Sequence, residues 1–114
     1  MSLEKRKYAR IPVDERCVIY AGIEEFEGNI VNISENGVGI KVNKPINCSK
    51  LTFLFVDRKA ENFSKRNMYS CKARVVRRAE DFVGCTFART FEISEFINRR
   101  RAEDFFKNKG ACSC

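Results

Sequence analysis

Histidine is absent from the 114 residues. Its absence removes the side chain that most often acts as general base and as metal ligand. Most nucleophilic-triad and zinc-hydrolase readings fail with it. Neither a phosphate-cradling glycine loop nor a paired acidic motif takes its place, so a binding protein is expected and not an enzyme. Proline and glycine are scarce, at 2 and 6 residues, while 44% of the chain is hydrophobic and 32% charged. That balance excludes a disordered tail and is enough to close one core, and the length fits one small domain. Long apolar runs are missing too. The longest, Leu51 to Val56, is interrupted by Thr52, far short of the roughly 18 residues a membrane span needs. The charged start, Met1 to Arg10, is followed by no apolar segment. No signal peptide and no membrane association are therefore expected, and the expected compartment is the cytoplasm.

Cysteine is plentiful by contrast, with 6 residues, but the pattern is not that of a disulfide framework or a metal site. Cys17, Cys48, Cys71 and Cys85 contain no C-x-x-C pair. Cys17, Cys71 and Cys85 fall in apolar, strand-like segments, where a free thiol behaves as a small core residue. Cys112 and Cys114 form a terminal C-x-C that offers at most two thiolates. Residues 111–114 are expected to be a disordered tail.

Charge is strongly one-sided. Lys and Arg outnumber Asp and Glu by 22 to 15. The excess gathers in three places. Lys5, Arg6, Lys7 and Arg10 lie near the start, and Arg99, Arg100, Arg101, Lys107 and Lys109 near the end. Between them, segment 57–78 carries Arg58, Lys59, Lys65, Arg66, Lys72, Arg74, Arg77 and Arg78. Such clusters suit an anionic partner, either nucleotide, nucleic acid or acidic protein, although solubility alone also accounts for a charge of this size.

Apolar periodicity between Glu15 and Ala88 gives short strands at Arg16–Ala21, Glu25–Asn32, Gly37–Val42, Leu51–Val56, Met68–Arg78 and Phe82–Phe87. Val38, Ile40 and Val42 share one face, as do Cys71, Ala73 and Val75. Leu51–Val56 is apolar on both faces, the pattern of a buried central strand. Glu80-Asp81 marks a tight turn. Six short strands without crossover helices predict an antiparallel barrel or sandwich. Residues 91–108 predict a helix whose apolar residues fall on two opposed faces. Ile93, Phe96 and Ile97 form one, Ala102, Phe105 and Phe106 the other, with the three arginines between them. Either the helix bends near the arginines or the distal aromatics meet another surface. Self-association into a homodimer through Phe105 and Phe106 is the expectation.

Two motifs remain. Arg6-Lys7-Tyr8-Ala9-Arg10 is an R-x-x-x-R ahead of the first strand, and Asn32-Ile33-Ser34-Glu35-Asn36-Gly37 is an N-x-S-x-x-G between the second and third. Taken singly, the first arises by chance in a basic chain. The second also describes a turn in which Asn32 and Ser34 bond the backbone and Gly37 takes positive φ. In this order and on this scaffold they resemble the PilZ family, bacterial receptors for cyclic di-GMP. The resemblance covers nearly the whole chain, through the glycine of Val83-Gly84-Cys85-Thr86-Phe87 and the closing helix. It implies a mainly β fold, a six-stranded antiparallel PilZ-type barrel with a C-terminal helix and a flexible N-terminal arm. The arm occupies residues 1–14, and barrel plus helix occupy 15–110.

By that resemblance Arg6, Arg10, Asn32, Ser34 and Gly37 contact the ligand. Lys5, the basic residue before the first arginine, points to two intercalated ligands per chain. The arm would close over the ligand and create a surface for a downstream partner protein. The chemistry suits these residues. Arginine pairs bidentately with phosphate, reads guanine O6 and N7, and stacks on a base. Asn32 offers donor and acceptor to a guanine edge. No further cofactor is expected. Two other readings compete. One is a PilZ-like adaptor that binds protein without ligand. The other is a basic β-barrel that binds nucleic acid, for which Tyr8, Tyr20 and Tyr69 are the candidate stacking residues.

Overall fold

The computed structural model describes residues 9–57 and 68–112, the side chains of 104–112 excepted. Its elements run β1 (Ile11–Ala21), β2 (Glu24–Ile33), β3 (Gly37–Val42), β4 (Lys50–Val56), β5 (Met68–Ala79), β6 (Phe82–Thr86) and α1 (Phe91–Cys112). The strands pair antiparallel and close into a barrel in the order β1-β2-β3-β6-β5-β4. Alternation decides what lies inside. Ile19, Ile30, Val38, Ile40, Phe53, Val83 and Cys85 point inward and are fully buried. Cys17 and Cys71 are core residues as well, in keeping with the core preference of free thiols.

Three details differ from the sequence expectation. First, β1 starts at Ile11 and not at Arg16, because Pro12 and Asp14 are carried through a register shift against β2 between Pro12 and Glu15. Proline is tolerated at such an irregularity because no ladder donor is required of it. Second, β4 is not covered on both faces. Leu51, Phe53 and Phe55 face the core, while Val56 is 45% exposed on the outer side. Third, Tyr69 is buried among Phe55 and Phe96 and is no stacking platform.

Helix α1 begins at a capping threonine. Thr90 Oγ1 accepts from the Ile93 amide at 3.2 Å, one of the donors a helix start leaves open. Ile93, Phe96 and Ile97 then bury against the barrel, with Phe96 edge-on to Phe55 at 5.2 Å between centroids. Arg100 continues the same stripe, as the i, i+3, i+4, i+7 spacing requires. It is buried, and it pairs with Glu15 and with Asp57 at 2.6 Å. Arg99 reaches Tyr69 Oη at 2.5 Å and Asp57 at 3.4 Å. The arginines between the two apolar faces thus clamp the helix to the barrel. The helix is continuous across them to Cys112, into the stretch expected as a tail. Phe105 and Phe106 lie outside the residues whose side chains are described. No helix among the described residues is long and apolar enough to cross a membrane.

Candidate functional site

The outer face of β3 and β6 carries a floor of three glycines between Thr86 at one end and Lys41 and Phe82 at the other. Gly37 and Gly39 alternate outward on β3, and Gly84 pairs with Gly39 across the ladder. A register shift in β2 between Ile30 and Asn32 sets the wall of this floor. Unbroken alternation from Ile30 would turn Asn32 inward. The extra residue, Val31, re-aims the strand so that Asn32 faces out opposite Gly39 while Ile33 returns to the core. A Cβ on Gly39 would stand 2.9 Å from both Asn32 amide atoms and 3.0 Å from the Phe82 ring. Glycine there is what allows the amide to lie flat against the strand.

Arg10 comes from the residue just before β1. Its Nη1 donates to Asn32 Oδ1 at 2.9 Å, and its Nη2 would sit 2.9 Å from a Cβ on Gly37. The last arginine of the first motif and the first and last residues of the second therefore meet in one half-buried group. Gly37 takes no positive φ; among the described residues Gly22 alone does, at 65°. Its role in this group is room for the guanidinium.

Ser34 is placed differently. It is 1% exposed, and its hydroxyl donates to Asn36 Oδ1 at 3.2 Å and accepts from the Asn36 amide at 3.3 Å. Together with the Ser34 amide bond to the Gly37 carbonyl at 2.8 Å, it shapes the β2–β3 turn that holds Gly37 under Arg10. Arg6 and Lys5 lie outside the described residues, as does Tyr8.

Neighbouring residues that motif reading missed also border the floor. Phe82 lies against Gly39, and Arg77 stands opposite Gly84 on β5. Strand alternation was the available signal, since residues 82 and 84 must share the face that Gly39 occupies. A further group is legible only in three dimensions. Arg101 of α1 donates to the Ala9 carbonyl at 3.3 Å and lies 3.9 Å from Glu35, so the helix touches both motifs. Arg100 is held charged against its burial. Desolvation disfavours its charge, but hydrogen bonds and Coulomb attraction from Asp57 and Glu15 outweigh that, and its pKa is raised. Among the described residues, no cluster of His, Cys, Asp and Glu could hold a metal ion.

In this closed antiparallel barrel an arginine and an N-x-S-x-x-G turn converge on Gly37 and Gly39. The PilZ domain family model matches residues 4–103, and the chain belongs to that family, whose members are binding and regulatory domains and not enzymes. No curated protein matches it in sequence. Among solved structures it is similar to the Bacillus subtilis inhibitor of motility (MotI/DgrA), with a TM-score of 0.69 and 16% identity. The match covers 89% of this chain and 53% of that one. The likeness is one of fold, and this chain spans about half the length of that protein.

Proposed function

We propose that the chain is a cyclic di-GMP receptor that changes conformation on binding and signals to a partner protein. The observation that carries this reading is the Arg10–Asn32 hydrogen bond, which joins two motifs 22 residues apart over Gly37 and Gly39. A guanidinium and a primary amide side by side match a phosphodiester next to a guanine edge. The flat glycine floor lets a planar base approach the backbone. Ligand binding would trade the Arg10–Asn32 bond for stronger, charge-assisted ones. Arg6 supplies the second arginine of the arm, Ser34 acts by shaping the turn, and Lys5 bears on whether one or two ligands enter.

Titration calorimetry with cyclic di-GMP is the test. Wild type binds saturably, and Arg6→Ala, Arg10→Ala and Asn32→Ala each weaken binding about tenfold or more, the value of a lost charge-assisted contact. A stoichiometry near two supports an intercalated pair. Absence of heat with the wild type overturns the receptor reading in favour of a ligand-independent adaptor.

A further inference from the structure

Lys72 and Arg74 of β5 take no part in the group around Arg10, and their placement costs stability. On the outer face, Lys50 of β4 pairs directly with Arg74 of β5, and Lys72 lies two residues from Arg74 on the same strand. Like charges directly opposite in a ladder destabilise it. Among the described residues none of the three makes an ion pair, and all are exposed. They line a groove of about 680 Å³ whose walls hold no carboxylate. Two rows in register build it. Tyr20, Thr52 and Lys72 form one, and Lys50, Arg74 and Thr86 the other. Thr86 is the ladder partner of Gly37, so the groove starts where the glycine floor ends. Tyr20, 47% exposed, closes the opposite side with an aromatic surface.

We infer that this groove docks an acidic segment of a partner protein. Three unpaired cations around a concave surface with one aromatic wall match carboxylates spaced along a short peptide. A nucleic-acid strand fits less well. It needs a continuous cationic track with several stacking rings, whereas beyond Tyr20 the next strand presents Glu25, its ladder partner, and the exposed Glu27. The inference is independent of the cyclic di-GMP reading and uses none of its residues.

The test is an amide chemical-shift titration of the full chain with hexaglutamate, with hexaglutamine as neutral control and a thymidine hexanucleotide as nucleic-acid probe. Hexaglutamate shifts Tyr20, Lys50, Thr52, Lys72 and Arg74, and its binding weakens about tenfold in the K50E/K72E/R74E variant. Lys50→Glu alone weakens peptide binding and raises the melting temperature, because it turns a like-charge pair into an opposite one. Should the triple variant fail to fold, Lys72→Gln suffices, with binding weakened about twofold. Shifts centred on Arg10 and Asn32, equal shifts with hexaglutamine, or unchanged binding in the variants overturn the inference. Tighter binding of the hexanucleotide to the same residues overturns it in favour of nucleic acid.

Discussion

Glycine performs two different tasks in this barrel, and substitution separates them. Gly28 points into the core, where a Cβ would stand 2.9 Å from both the Lys41 carbonyl oxygen and Ile40 Cγ2. Backbone cannot move aside cheaply, so Gly28→Ala should cost about 1–3 kcal/mol of stability, the usual cost of overpacking. Urea denaturation measures it. At Gly37 the near atom is the far end of Arg10, which can swing away. Gly37→Ala is therefore expected to leave the urea midpoint within about 0.5 kcal/mol of wild type while weakening cyclic di-GMP in calorimetry. A midpoint shift as large as that of Gly28→Ala would show that Gly37 serves folding first. The Lys50–Arg74 pair makes the complementary point. Relieving it by Lys50→Glu should add about 0.2–1 kcal/mol.

Helix α1 depends on a charged clamp as much as on its apolar stripe. Glu15 and Asp57 are each 3% exposed, and Arg100 is the cation they share. Arg100→Met takes the arginine from buried Glu15 and leaves Asp57 with Arg99 at 3.4 Å, and a loss of about 3–5 kcal/mol is expected in urea denaturation. Adding Glu15→Gln and Asp57→Asn to that variant should recover much of the loss, since no buried charge remains. Failure to recover would assign the loss to packing against Phe96, over whose ring Arg100 lies at 4.8 Å. The clamp also marks the limit of what the linear chain reveals. All six strands and the helix were legible, because alternation and a 3.6-residue apolar stripe are local patterns. The ion cluster joins residues 85 positions apart, so no local pattern pairs its members. The β2 bulge was equally hidden, because an extra residue is visible only against a partner strand. For the site, motif spacing nominated Arg10, Asn32 and Gly37, which do meet. It left open whether the Ser34 hydroxyl serves ligand or turn, and it did not show that Phe82 and Arg77 border the same floor.

Across the whole molecule the core is stocked with thiols that the fold keeps protonated. Burial, with a smaller contribution from Cys85, pushes the Cys17 thiol up to about 12. Burial raises Cys71 to about 11, and at Cys85, also about 11, it outweighs the opposing charge of Arg10. At pH 8 about one thiol in a thousand is a thiolate at Cys71 and Cys85, and about one in ten thousand at Cys17. Iodoacetamide followed by peptide mass mapping should therefore tag the half-buried Cys48 well before Cys17, Cys71 or Cys85. The raised values also set a sign. Their contribution to stability is complete below the ordinary thiol value of 9.0 and is lost as pH climbs through 11 to 12. Thermal melts of wild type against Cys17→Ala should accordingly converge above pH 9.

Because β4 returns to pair with β1, the sheet has no first or last strand. Where a strand of the ring is paired on both sides, as β1 is over Cys17–Tyr20, it offers no backbone ladder to an incoming chain. Recognition by strand addition, which reads main chain and tolerates many sequences, is closed to those stretches. A partner of those stretches must instead read side chains on the outer wall. Its fidelity then rests on a few surface residues, which can change one at a time without disturbing the ring.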